Sequence, residues 1–144
     1  EIASVTNYMK LQQMRFEGMF DYEINLPEGY DTEFIMIPPM LLQPFLENSI
    51  EHGFKNIRYK GKIEISFTVV DQKLIVQIQD NGTGIKEFKP ENPHKKSLSK
   101  IIIQERLDIL FNQKSKESYL EISSINQQEK TGVSVKIILP LIED

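Results

Sequence analysis

Apolar residues near the start of the chain recur at intervals of three and four, which predicts a helix with one buried side. The positions that share this side are Ile2, Val5, Met9, Gln12, Phe16 and Met19. The spacing is typical of the seam of a coiled coil or a helical bundle. Two interpretations therefore stay open, in which the helix pairs with a partner helix or packs on its own domain.

Apolar and polar residues then alternate with the period of two that indicates β-strands. The turn Pro27-Glu-Gly29 ends the first strand, and Asp71-Gln-Lys73 separates two strands that predict an antiparallel hairpin. The predicted strands cover residues 20–26, 62–70, 74–78, 119–125 and 133–139. The pattern thus predicts a sheet with helices placed between its strands.

A further helix is predicted between Pro39, which suits a helix start, and Gly53, which suits a helix end. Its apolar face, expected in the core, consists of Leu42, Phe45, Leu46, Ser49 and Ile50. Asn48, Glu51 and His52 fall on the opposite face with Glu47 beside them. Taken alone, such a polar face is most simply a solvated one.

The hairpin leads into a glycine-containing loop, Asp80-Asn-Gly-Thr-Gly84. Its two glycines let a ligand approach the backbone closely, and an aspartate at a strand end accepts hydrogen bonds from an amine. By itself the sequence Asp-Asn-Gly also makes an ordinary turn. Residues 82–96, rich in glycine, proline and basic side chains, predict a mobile lid, and residues 97–111 predict a helix with Ser97 as its cap.

Composition narrows the classes of function. The chain has 144 residues with 40% hydrophobic content, which fits one domain with its own core. A formal charge of -4 gives no general basic surface, so no nucleic-acid partner is expected. The chain has no cysteine, which excludes disulfides, thiolate catalysis and cysteine metal sites. No apolar run approaches the ~18 residues of a membrane span.

Two motifs in this order resemble a known family. The stretch Leu41-Leu-Gln-Pro-Phe-Leu-Glu-Asn-Ser-Ile-Glu-His-Gly53 is similar to the N box, and Asp80-Asn-Gly-Thr-Gly-Ile85 to the G1 box, of the ATP-binding domain of histidine kinases. The order of residues in the first motif resembles that found in the LytS-type branch of sensor kinases. Gln104-Glu-Arg-Leu107 and the strand from Val135 to Pro140 resemble later segments of that branch.

The resemblance implies the Bergerat (GHKL) fold, an α+β two-layer sandwich with a mixed sheet of about five strands and helices on one face. It implies that ATP and Mg²⁺ bind between the helix and the lid. Asn48 would hold Mg²⁺, Glu47 would polarise a ligand in the metal shell, and Asp80 would bind the adenine amino group. The other residues expected to contact nucleotide are His52, Gly82, Gly84, Ser97 and Ser99.

The same resemblance implies a division of the chain and a set of partners. Residues 1–19 would be the end of a dimerisation helical hairpin, and residues 20–144 the catalytic and ATP-binding domain. The domain would transfer the γ-phosphoryl group of ATP to a histidine outside this chain, upstream of Glu1. Expected partners are the dimerisation and histidine-phosphotransfer domain of a homodimeric parent and a response regulator. The expected location is the cytoplasmic side of an inner-membrane sensor protein.

The chain departs from the family pattern on the phosphate side of the expected site. Lys96-Ser-Leu-Ser-Lys100 stands where glycine is usual, Glu51 where lysine is common, and Val133 follows Gly132 where a Gly-Thr pair is frequent. These departures keep a second hypothesis open, a nucleotide-binding or regulatory module without turnover. A third, an ATP-hydrolysing clamp, is disfavoured because Pro44 stands at the position of the clamp's catalytic glutamate.

Overall fold

The alternating segments form one five-stranded mixed sheet in the order β1-β2-β3-β5-β4. The strands are β1 (Phe20–Asn25), β2 (Gly61–Val70), β3 (Lys73–Asp80), β4 (Tyr119–Gln127) and β5 (Lys130–Pro140). The computed structural model describes residues 2–31, 33, 35–37, 41–55, 57–83, 119–127 and 130–141. Within these residues the structure confirms the predicted α+β class and its mixed sheet.

Strand β1 runs parallel to β2, and the other neighbouring pairs are antiparallel. The predicted hairpin is confirmed, with Ile65 opposite Ile78 in the β2–β3 pair. Its turn needs only Asp71 and Gln72, whose φ angles of 50° and 65° lie in the left-handed region that a two-residue type I′ turn requires. Strand β3 therefore runs from this turn through the middle of the sheet to Asp80.

In the described part of the chain, two helices accompany the sheet: α1 (Ile2–Arg15) and α2 (Gln43–Asn48), which continues as a π-helical turn over Ser49–Gly53. Helix α1 is shorter than its seam predicts, because the chain turns at Gly18 with φ of 78° before it enters β1. Met19 thus lies outside the helix and is 45% exposed. Neither helix, nor any other in the described part of the chain, has the length and apolar character to cross a membrane.

The core lies between one face of the sheet and the buried sides of the helices. Alternate residues of β2, β3 and β5 supply the sheet side: Ile63, Ile65, Phe67, Leu74, Val76, Ile78, Val135, Ile137 and Leu139. Ile2, Val5 and Met9 of α1 are buried in the same cluster, as packing on the chain's own domain predicts. The assignment of residues 1–19 to a dimerisation hairpin stays a prediction.

Candidate functional site

The helix that carries the polar face ends in an unusual turn. The spacing predicts an α-helix as far as Gly53, but the α-helical part ends at Asn48 and a π-helical turn follows. The amide of Phe54 donates to the carbonyl of Ser49, five residues back, at 3.0 Å. Such turns are rare and frequently lie at functional sites. The turn leaves Ser49 buried and directed at the sheet.

The loop after β3 is bonded directly to this helix end. The amide of Thr83 donates to the carbonyl of Gly53 at 2.9 Å. Gly82 crosses the turn so closely that a Cβ there would lie 2.4 Å from the Gly53 oxygen. Only glycine fits at that separation. The hairpin therefore brings the loop to the end of the helix, which it contacts at Ser49 and Gly53.

The carboxylate of Asp80, at the point where β3 ends, lies in this junction and is only 6% exposed. Its Oδ2 accepts a hydrogen bond from the Ser49 hydroxyl at 2.6 Å. Its Oδ1 accepts from the amides of Gly82 at 3.0 Å and Val133 at 3.2 Å. A buried carboxylate is tolerated only when such donors replace water. Three elements therefore fix its orientation.

The hydrogen-bond capacity of Asp80 leaves room for a ligand. The Ser49 hydroxyl also lies 3.2 Å from the Phe45 carbonyl, but its single proton favours the shorter, charge-assisted contact with the carboxylate. An ionised carboxylate has about four acceptor positions, of which the three protein donors use all but one. The remaining position is on Oδ2, and it suits an N–H donor such as an exocyclic amine.

Strand β5 completes the junction through Thr131, which the sequence pattern did not single out, and Gly132, which it marked only as part of a departure from the family pattern. The hydroxyl of Thr131 donates to the carbonyl of Gly82 at 2.7 Å. Gly132 passes so close to Asp80 that a Cβ would lie 1.9 Å from the Asp80 carbonyl oxygen, and its φ is 151°. The available signal was the glycine itself, since one inside a strand often marks a close backbone approach.

The polar face of α2 and its π turn is exposed, as the pattern predicted. Its side chains are those of Glu47, Asn48, Glu51 and His52. Among the described residues, no cluster of three or more histidine, cysteine, aspartate or glutamate side chains is placed to hold a metal. The amide oxygen of Asn48 is a single hard ligand, which suits Mg²⁺ because that ion usually keeps water and phosphate oxygens as its other ligands.

Several predicted features lie outside the described residues. They are Gly84, Ser97 and Ser99, the predicted lid from residue 84 to residue 96, and the helix predicted over residues 97–111. The described part of the site is therefore the junction around Asp80 and the adjoining polar face of the helix. The roles predicted for individual site residues stay predictions.

Tyr8 of α1 is half-buried, and its phenol lies near the acidic side chains of the polar face of α2. Its hydroxyl is shielded from solvent and makes no hydrogen bond of standard geometry within the described residues. Burial, and then the negative charge of the nearby Glu47 and Glu51, raise the pKa of Tyr8 to about 12, while Arg15 lowers it. The charges of two carboxylates of the polar face thus act on one phenol of α1.

Replacing Tyr8 by phenylalanine is expected to leave stability unchanged or to raise it by up to about 1 kcal/mol at pH 7, because no good hydrogen bond is lost. Because the pKa of Tyr8 is higher in the folded protein than its unfolded-state value near 10, the wild-type protein loses stability as the pH rises from 10 towards 12. Urea unfolding at pH 7 and pH 11 should therefore show a smaller pH-dependent loss for Tyr8→Phe. The exposed Tyr30→Phe is the control, and equal losses in all three proteins would contradict the expectation.

Comparison with known proteins gives relatives by sequence and by structure. The chain is 36% identical over 92 residues to the sensor histidine kinase/phosphatase LytS of Staphylococcus aureus strain MRSA252, with the same identity to LytS of strain N315. The match covers 62% of this chain and 15% of the LytS sequence. The chain thus corresponds to a small part of the curated relatives it matches. No protein-family model matches the chain.

Solved structures share the fold at low sequence identity. The histidine kinase domain of the blue-light activated kinase from Erythrobacter litoralis EL346 has a TM-score of 0.57 at 20% identity, over 92% of this chain and 57% of its own. The nucleotide-free catalytic domain of the histidine kinase ThkA has a TM-score of 0.57 at 17% identity, over 96% of this chain and 88% of its own. The histidine kinase ThkA in complex with the response regulator TrrA has a TM-score of 0.55 at 19% identity, over 96% of this chain and 39% of its own.

Proposed function

Since the chain is homologous to LytS sensor histidine kinases and has the fold of histidine kinase catalytic domains, we propose that it binds ATP with Mg²⁺ and transfers the γ-phosphoryl group to a histidine outside this chain. The observation that carries the proposal is the buried Asp80 carboxylate with one acceptor position left for an amine. It is bonded to Ser49, the residue directly after the exposed Asn48.

The described residues form two parts of the proposed site, one that binds the base and one that binds the metal ion. Asp80 accepts from the amino group of the base, and the Ser49 hydroxyl and the Gly82 and Val133 amides hold it in place. Asn48 offers one amide oxygen to Mg²⁺, and Glu47 beside it orients water or a further ligand. Mg²⁺, when bound, neutralises phosphate charge, which phosphoryl transfer needs more than covalent help from the protein.

The parent protein is proposed to supply the remaining parts. Helix α1 would continue from the dimerisation and histidine-phosphotransfer domain of a homodimer. A response regulator would receive the phosphoryl group, as the ThkA–TrrA complex suggests by analogy. The proposed location is the cytoplasmic side of a membrane-bound sensor, where ATP is available.

A thermal-shift titration tests nucleotide binding. At 100 times its dissociation constant, Mg-ATP should stabilise the protein by about 2.7 kcal/mol, which corresponds to a rise in Tm of roughly 5 to 10 °C. Asn48→Ala should reduce the shift with Mg-ATP to the smaller one seen for ATP with EDTA, because the metal ligand is lost. Asn7→Ala changes an exposed helical asparagine of α1 and should leave the shift unaltered. The absence of any ATP-dependent shift in the wild-type protein would overturn the proposal.

A second function, nucleotide binding without transfer, is favoured by Glu51. This residue is exposed on the same polar face as Asn48, and its charge acts on Tyr8 together with that of Glu47. A carboxylate a few ångströms from phosphate repels it by ~1 to 4 kcal/mol, depending on exposure. Incubating the parent protein with Mg-ATP and assaying for phosphohistidine distinguishes the two functions. Phosphohistidine that is lost on Asn48→Ala supports transfer, and ATP binding without phosphohistidine supports the second function.

A further inference from the structure

The residue after Asp80 holds the loop from the side opposite to the helix. The side-chain oxygen of Asn81 accepts a hydrogen bond from the amide of Lys62 at 2.7 Å. Its side-chain nitrogen donates to the carbonyl of Lys60 at 3.3 Å. The backbone amide of Asn81 also donates to the Lys62 carbonyl at 3.2 Å. One residue thus makes three hydrogen bonds to residues 60–62, where β2 begins.

Tyr59, the residue before this segment, adds a fourth bond from its side chain. Its hydroxyl donates to the carbonyl oxygen of Asn81 in a short contact, while half of the residue remains exposed to solvent. The loop is therefore bonded on its outer side to residues 59–62 and on its inner side to Gly53 and Thr131. We name the outer set, Tyr59 and Asn81 with the backbone of Lys60 and Lys62, the loop latch.

The latch acts on the same short backbone that carries Asp80. Ser49, Gly82 and Val133 fix the carboxylate, but they fix it relative to the helix and β5. The latch ties the backbone of the next residue to β2, so it holds the main chain from which the carboxylate extends. Each latch bond is at an exposed site, where losing one changes an equilibrium by about threefold to tenfold.

We infer that Asn81 and Tyr59 are positioning residues which aim the Asp80 carboxylate at the base and so set selectivity for a 6-amino purine over a 6-oxo purine. The inference rests on the proposed function, since it needs a nucleotide at Asp80. A carboxylate held in place accepts from an amine and repels an oxo group. A loop free to shift lets the carboxylate move away from either group, and selectivity falls.

The test compares dissociation constants for Mg-ATP and Mg-GTP in the wild-type protein, Asn81→Ala, Tyr59→Phe and the control Tyr30→Phe. Asn81→Ala removes the two latch bonds that the Asn81 side chain makes and should weaken ATP binding about 5- to 10-fold while GTP changes less than about twofold. Tyr59→Phe keeps the ring and should weaken ATP binding about threefold. The control, a similarly exposed tyrosine away from the loop, should match the wild type.

The outcomes separate the inference from its premise. If the wild-type protein binds neither nucleotide, the proposed function itself fails. If both variants weaken the binding of ATP and GTP equally, or change the binding of neither, the latch does not set selectivity and the inference is overturned. If Asn81→Ala does not fold, Tyr59→Phe decides alone, because it alters one exposed hydroxyl. A fall in the ATP-to-GTP selectivity with little change in Tm supports the positioning role.

Discussion

Asp80→Asn should weaken Mg-ATP binding about 10- to 100-fold, which corresponds to the loss of a hydrogen bond to a charged group. The amide keeps the size of the carboxylate but presents an N–H₂ group where the base needs an acceptor. Because Ser49 can turn its hydroxyl to accept from that amide, the fold should survive the change. Isothermal titration of the wild-type and variant proteins with ATP measures the effect.

The same substitution should narrow the difference between nucleotides, because an amide donor suits the oxo group of GTP better than the amine of ATP. Asp71→Asn is the matched control, since it makes the same chemical change at the exposed turn where β3 begins. Asparagine tolerates the φ of 50° found there. ATP affinity that is equal in Asp80→Asn and Asp71→Asn would show that Asp80 does not contact the base.

Gly82→Ala is expected to lower the free energy of unfolding by about 1 to 3 kcal/mol and to reduce ATP affinity at least about tenfold. The new Cβ would lie 2.4, 2.6 and 2.8 Å from the oxygen, carbon and Cα of Gly53. All three are backbone atoms, so no side chain can rotate to relieve the clash. The loop must lift, which strains the bonds from Thr83 to Gly53 and from Gly82 to Asp80.

Gly53→Ala is the control for Gly82→Ala on the other side of the same contact. A Cβ at Gly53 meets its nearest atom, Asp80 Oδ2, at 3.7 Å, an ordinary contact distance. Alanine is also favoured over glycine within a helical turn. Urea unfolding should therefore find Gly53→Ala close to the wild type and Gly82→Ala clearly destabilised. Equal stability of the two variants would mean that the loop does not cross the turn as closely as described.

The described elements follow closely from local sequence pattern. The alternation around Ile63 and Ile78 predicted the β2–β3 hairpin, and the structure confirms it with nearly the predicted ends. The buried and exposed faces around Leu46 and Asn48 also match their prediction. These features depend on neighbours two to four residues apart, so the period of apolar residues contains the information.

Helix ends were predicted less well, because they depend on contacts that periodicity does not report. The α-helix stops at Asn48 and widens into a π turn, which the spacing of apolar residues does not distinguish from a continued α-helix. Helix α1 ends at Arg15, although its apolar spacing continues to Met19. In both places a glycine, Gly53 or Gly18, follows the change, and tertiary packing decides the exact end.

By itself the sequence determined the strands, the two faces of α2 and the order of the two motifs whose resemblance implies a histidine kinase site. Only the tertiary structure decided that Ser49, a predicted core residue, bonds Asp80 from 31 positions away, and that β5 supplies Val133 from 53 positions away. The physical reason is that the donors of a buried carboxylate come from whichever elements packing brings to it. No short window of sequence contains that information.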